Sequence, residues 1–396
     1  MNTQQRAIAA AAAAVLLVLV IALITGVIGP RTESPPASSS PSIAAASATP
    51  SATAAASAAS PSATAGSTAD ARYGYLAVGG GGFALVEESG TTIQQYGCGA
   101  PGRGCNETML AVSPDGRRVA FWLSGQTPRW EVRVFDVAAP TAVRPLVTLP
   151  EGFEGLGMAW ATDSRGLLFA AQTVGYGGVA GGAGRATLSG VDVTTPGPAT
   201  DVMPTRTDGV FYRPLAWDRT RSIIAAVTSG EGGFVFEYAV KEGDRYSAAR
   251  ATAGQFIAWQ VEASPDATRV LAIDPAANVV RIWPVTNFTG SFEVRPGTGG
   301  RISAARWRSA NEVAWSYGER LDLFVPQTST SRTVYTATGG VRLVALRPDG
   351  TGALIASGGS PNVSVGMVIV DMATGAATSR PAIDVGQVVV LRGVLR

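Results

Sequence analysis

Glu262, Tyr176, Arg185 and the pair Cys98 and Cys105 are the residues of this chain whose types and placement admit chemistry. Histidine is absent from all 396 residues. That excludes a Ser-His-Asp triad, a Cys-His pair, a His-ligated zinc and an imidazole general base. A reaction would have to use carboxylates, Tyr, Arg, Ser or an oxygen-ligated metal. Among the carboxylates, Asp115, Asp266 and Asp349 each follow a proline in a tight turn and read as structural. Glu262 differs, because it falls on a strand expected to line a channel, where its carboxylate could face water. One carboxylate without an evident partner falls short of the acid/base pair a glycosidase needs. No Asp-x-Asp-x-Asp calcium loop and no Gly-x-Ser-x-Gly elbow is present. Val78-Gly-Gly-Gly-Gly-Phe83 lacks the Lys-Ser/Thr of a phosphate loop and reads as a hairpin. No catalytic, cofactor-binding or metal-ligating residue is assigned, no cofactor is expected, and the chain is expected not to be an enzyme.

Cys98 and Cys105 bracket Gly-Ala-Pro-Gly-Arg-Gly. Two cysteines this close in a turn-rich loop predict a disulfide made in an oxidising compartment, with two free thiols as the alternative. Closing so small a loop is worth about 2.5 kcal/mol on the chain-entropy model. Tyr176 and Arg185 belong to a Gly-rich stretch, Gln172 to Arg185, that interrupts an otherwise regular pattern. Such a loop can lie over a channel mouth and contact a partner. A second interruption runs from Met203 to Arg213.

The regular pattern that must position these residues is a recurring phrase. Met109-Leu-Ala-Val-Ser-Pro-Asp-Gly-Arg-Arg-Val-Ala-Phe121 reads as a strand, a tight turn and a second strand. Variants stand at Met158–Ser164, Leu215–Thr220, Val261–Asp266, Ala305–Ser309 and Leu343–Gly350. Equivalent positions, Val112, Trp160, Trp217, Ala263, Trp307 and Leu346, follow one another at 48, 57, 46, 44 and 39 residues. A period of roughly 40–50 residues with four short strands per unit predicts the blades of a β-propeller. The tryptophans locked to that period read as packing between blades. Asp371-Met-Ala-Thr-Gly375 marks another register point, an aspartate that closes the third strand and can hydrogen-bond the following turn.

Residues 75–78, 83–88 and 91–96 look like three strands of a blade lacking its first, and Val388–Gly393 matches the first-strand pattern of Leu343–Pro348. The expected fold is therefore all-β: a seven-bladed β-propeller, with six or eight blades as alternatives, closed by N- and C-terminal strands in one blade. Ser113-Pro-Asp-Gly-Arg-Arg-Val-Ala-Phe121, Arg347-Pro-Asp-Gly350 and Ser264-Pro-Asp266 resemble the repeat of TolB-like, WD40-like propellers. The resemblance implies a periplasmic or surface scaffold that binds proteins or ligands, and it transfers no catalytic residue.

Ahead of the propeller, residues 1–6 form a short tail and 7–29 an apolar run long enough to span a bilayer as a helix. A cleaved signal peptide, with a shorter apolar stretch, is the alternative. Residues 30–70 are almost all Ser, Ala, Thr and Pro and are expected to be a disordered linker. Residues 71–396 are then expected to stand outside the cell membrane. A net charge of +2 and the absence of any basic run argue against nucleic acid as a partner. Lys241 is the only lysine, which reads as a base-composition bias of the source. The expected function is a membrane-tethered, non-catalytic scaffold for an envelope protein or cell-wall ligand. The alternative is a carbohydrate-active enzyme, a glycosidase or lyase, with carboxylates in the propeller channel.

Overall fold

A computed structural model describes residues 72–396 apart from 80–81, 100–106, 125–128, 176–183, 196, 229–232, 244, 248–249, 252–255, 259, 287–289, 298–299, 348, 358–364, 384–386, 390–393 and 396. The chain divides into Met1–Thr64 and Ala65–Arg396, and every described residue belongs to the second unit. The expected tail, membrane segment and linker lie outside the described residues.

Alternating short strands and Gly/Pro turns fold into seven antiparallel sheets. Blades 1 to 6 each place their strands a to d side by side in chain order. Their a strands are Leu110–Val112, Phe153–Trp160, Phe211–Asp218, Gln260–Ala263, Ile302–Trp307 and Val341–Leu346. Blade 7 is assembled from both ends of the unit. Arg72–Gly79, Gly82–Glu87 and Thr92–Gly97 supply strands b, c and d, and Gln387–Val389 supplies strand a. The closing pairs are Leu76 with Val389, Ala77 with Val388 and Val78 with Gln387. Seven blades and a composite closing blade agree with the sequence expectation. Val78–Phe83 is the hairpin it was expected to be, with Gly79 opposite Gly82.

Strands b and c are buried on both faces because every sheet lies between two others. The core is consequently a series of layers between blades. Ala120, Trp122 and Val132 of blade 1 pack against Phe153, Leu167 and Phe169 of blade 2. Val119, Phe121 and Phe135, on the opposite face of blade 1, pack with Leu76, Phe83 and Leu85 of blade 7. Trp122 is fully buried, and a Cβ at Gly155 would stand 2.4 Å from its ring, so the indole needs the bare backbone of the next blade's a strand.

The recurring phrase is a hydrogen-bonded corner. The Ser113 hydroxyl, fully buried, donates to Asp115 Oδ1 at 2.5 Å and accepts from Arg118 N at 2.9 Å. Ser264 repeats this with Asp266 at 2.7 Å and Arg269 N at 2.9 Å. The fourth corner residue is left-handed in four blades: Gly116 at φ 71°, Ser164 at 59°, Ala267 at 55° and Gly350 at 69°. Glycine takes that conformation without penalty, and Ser164 and Ala267 take it at a cost that the corner's hydrogen bonds offset. Asp371 caps its turn as expected, accepting from Ala373 N, Thr374 N and Thr374 Oγ1.

Two tests follow from these corners. Ser264→Ala leaves Arg269 N–H without its side-chain acceptor and should cost about 1–2 kcal/mol in denaturant unfolding. Burial pushes the Asp266 carboxyl up, but hydrogen bonds from Ser264 and Thr268 outweigh it and hold the group below the ordinary carboxylate range. The stability this contributes is complete above the unfolded value of about 3.9 and is lost as pH falls through the folded value. Asp266→Asn should therefore be less stable than the native chain at pH 7, with the gap closing as pH falls below about 4; a gap independent of pH would rule this out.

Candidate functional site

In each blade the a–b and c–d turns fall at one end of the ring, and the b–c loops and d–a connections at the other. We refer to these as the turn end and the mouth end. The a strands of blades 1 to 6 enclose a central channel with a cavity volume of about 900 Å³.

Arginines hold the turn end together across blade boundaries. Arg118 of blade 1 donates to Ser164 O of blade 2 at 3.2 Å, and Arg269 of blade 4 to Ala310 O of blade 5 at 2.9 Å. Arg308 of blade 5 donates to Gly350 O of blade 6 at 2.7 Å. Arg347 of blade 6 forks onto both oxygens of Glu88 in blade 7, at 2.9 and 2.8 Å. Arg219 ties blade 3 back to Asp163 and Asp192 of blade 2 at 3.3 and 2.8 Å. Arg144 and Arg332 repeat one further contact, each reaching the carbonyl just past the aspartate that ends the next blade's c strand, Val193 O and Met372 O, both at 2.8 Å. A planar fork that reaches two acceptors does what a lysine cannot. The arginine bias, read from sequence as compositional, thus has a structural use.

The channel wall is tied by the same logic. Trp160 Nε1 donates to Ala111 O at 3.0 Å and Trp307 Nε1 to Glu262 O at 3.3 Å, each indole spanning to the preceding blade at an equivalent position. Trp217 departs from this and donates to Tyr246 Oη at 2.6 Å. The period-locked tryptophans are therefore packing and strapping groups. Glu262 lines the channel as expected, but it has partners the sequence did not show. Its carboxylate accepts from Trp307 N at 3.2 Å and faces Arg306 Nη1 at 3.5 Å. Gln260 beside it donates to Ala305 O.

Charge along the channel is one-sided. Arg213, Arg301, Arg306 and Arg342 line it, against the single carboxylate of Glu262 among the described residues. The convergent carboxylate pair required by the carbohydrate-active alternative is thus not found among the described residues. Arg213, Arg301 and Arg342 stand at or near the start of their a strands, which is the mouth end, while Arg306 and Glu262 lie toward the turn end. Arg301 and Arg342 are exposed, and neither has an ion-pair or hydrogen-bond partner for its guanidinium among the described residues. Arg213 and Arg342 each stand four residues before the period-locked position, Trp217 or Leu346. In both blades the a–b register slips just after them, between Pro214 and Ala216 and between Leu343 and Ala345. A bulge of this kind re-aims the neighbouring side chains. The spacing was legible in the sequence, but the bulge was not.

The two interruptions in blade 2 fall at the mouth end. Tyr176 lies outside the described residues. Arg185, at the base of the first insert, stacks its guanidinium 5.0 Å from the Phe153 ring centre, and its backbone pairs with Thr173. The second, Met203 to Arg213, is a packed extension of strand d. Arg206 exchanges backbone hydrogen bonds with Ala186 and is neutralised by Asp208 at 2.5 Å and Glu237 at 2.7 Å. Burial, then the nearby Glu237 charge, push the Tyr212 hydroxyl up to about 12; it donates to Pro204 O at 2.8 Å. Cys98 is buried beside strand d of blade 7, and Cys105 lies outside the described residues, so the expected pairing does too.

No family model and no curated protein matches the chain. Solved structures do, at low identity. A prolyl endopeptidase aligns over 80% of this chain and 49% of its own, at 17% identity and a TM-score of 0.53. A Mycobacterium tuberculosis puromycin-hydrolysing peptidase aligns over 79% and 53%, at 15% identity and 0.50. TolB from Acinetobacter baumannii aligns over 80% and 65%, at 12% identity and 0.42. The chain spans about half the length of the two peptidases. The expectation that the chain is not an enzyme is corrected by these matches, because its fold is one that peptidases share and does not separate binding from catalysis.

Trp307→Phe keeps the ring and removes one strap. It should lower stability by about 1 kcal/mol by leaving Glu262 O short of a donor, measured as a shift in the denaturant midpoint at unchanged slope. An unchanged midpoint would show that the indole acts through packing alone.

Proposed function

We propose that this chain is a membrane-tethered, extracytoplasmic propeller that binds an envelope protein or a cell-wall ligand at the mouth end of its channel. The observation that carries the reading is the contrast between the two ends. At the turn end, carboxylates and carbonyls occupy the arginines and tie blade to blade. At the mouth end, Arg301 and Arg342 stand exposed at the rim of a 900 Å³ channel. A surface of unspent hydrogen-bond donors around a concave site is what recognition requires. The tether and the compartment rest on the apolar run at 7–29 and the Ser/Ala/Thr/Pro-rich stretch at 30–70.

The full chain should remain with membranes through alkaline carbonate extraction, and removing residues 7–29 should release it. A photo-crosslinking amino acid at Val174, 62% exposed near the blade 2 insert, should capture a discrete species in intact envelopes. The same group at Arg117, exposed in a turn-end corner, should not. Equal capture from both positions, or none from Val174, would refute the placement of the binding surface.

A further inference from the structure

We infer that the channel mouth takes a small oxyanion-bearing ligand, a polycarboxylate or phosphate compound, held by Arg301 and Arg342. This rests on the proposed binding role of the mouth and names the chemistry it would recognise.

Three features support it. The first is charge. The chain as a whole carries a formal net charge of only +2, yet four arginines and one glutamate line the channel among its described residues. A concave, low-dielectric wall of one sign concentrates counter-ions of the other. The second is placement. The a strands of blades 3, 4, 5 and 6 touch in succession around the axis. Arg301 and Arg342 therefore lie on adjacent blades, 5 and 6, with blade 4 between them and Arg213. Arg213 and Arg342 share one register in two different blades, each just ahead of a bulge. Guanidinium forks match carboxylate and phosphate oxygens two at a time, so arginines around one cavity favour a ligand with several oxyanion groups.

The third feature is an unsatisfied donor. Arg306 Nε, deeper along the same channel, is buried without a hydrogen-bond partner, although Nη1 of the same side chain faces Glu262. A buried guanidinium N–H left unpaired costs free energy that an acceptor in the channel would recover. The contrast with other arginines sharpens the point. Arg206, close to the same end, is already neutralised by Asp208 and Glu237, and Arg320 by Asp322. Arg301 and Arg342, at the mouth, have no carboxylate of their own among the described residues. A cavity of 900 Å³ holds a small molecule, whereas a folded partner would meet only the rim.

The test is calorimetric titration of the full chain in detergent with citrate, with tripolyphosphate and with neutral cellobiose. Arg301→Gln/Arg342→Gln is the site variant and Arg295→Gln, an exposed arginine just past the outer strand of blade 4, is the control. Saturable binding of citrate, tripolyphosphate or both is expected. It should weaken at least tenfold in the double variant and not in the control, at unchanged melting temperature, and should decline as salt is raised. Citrate alone would identify a carboxylate ligand and tripolyphosphate alone a phosphate ligand. No saturable binding of either anion, equal binding of cellobiose, or an affinity untouched by the double variant overturns the inference. A hexaglutamate peptide that binds when neither small anion does would also overturn it, in favour of an acidic polypeptide. Failure here is separable from failure of the binding role. Lost anion binding with Val174 crosslinks retained removes the anion alone, and loss of both removes both.

Discussion

Three backbone pairings carry the architecture: Leu76 with Val389, Ala77 with Val388 and Val78 with Gln387. They put a strand from the C-terminal part of the chain on the inner edge of a sheet made near residue 72. Without them blade 7 would end in an open a edge, a row of unpaired N–H and C=O groups exposed to other chains. With them, a linear series of sheets becomes a ring in which each sheet is covered on both faces. The hydrophobic layer that joins blades 6, 7 and 1 is continuous, from Val344 and Leu354 through Leu76 and Leu85 to Phe121 and Phe135. The channel is a consequence of the closure, since a cavity walled by a strands exists only where their circle is complete.

Around that constraint the two ends have diverged in role. At the turn end, short corners rich in Ser, Asp and Gly bring hydrogen-bonding groups within reach of the next blade, and arginines spend their donors there. Each contact is modest, because partly exposed ion pairs contribute up to about 1 kcal/mol. Their value lies in repetition and geometry, as in the Arg347 fork on Glu88. At the mouth end Arg301 and Arg342 stand exposed, with no ion-pair or hydrogen-bond partner for their guanidinium groups among the described residues. The fold thus separates holding itself together from meeting something else. Because peptidases are built on propellers too, the fold cannot state what the mouth does with what it meets; that depends on the side chains of this chain.

Much of the fold was legible because period and turn chemistry are local. Pro-Asp-Gly corners, aspartates closing the c strands and tryptophans at one repeat position all served the ends their spacing implied, and the split closing blade was readable from Val388–Gly393. The site was less legible, because its determinants are relations between blades. Glu262 looked solitary, since its partners Arg306 and Trp307 lie some 45 residues away and meet it only when two sheets stack. The second interruption showed only as a break in the period, since nothing local reveals that Arg206 pairs with Ala186 and is neutralised by Asp208 and Glu237. Arg213 and Arg342 shared a repeat position in plain view. Their aim depends on a register slip between the first and third residues after each, which no residue pattern announces.

The measurement that bears most directly on this account is amide hydrogen exchange, followed by mass spectrometry, on the full chain and on a chain ending at Ile383. If strand closure makes the ring one cooperative unit, removing the closing strand should raise exchange in all seven blades, including strands of blades 3 and 4 far from the cut. Faster exchange confined to residues 72–97 and their immediate neighbours, with blades 2 to 5 as protected as before, would contradict it.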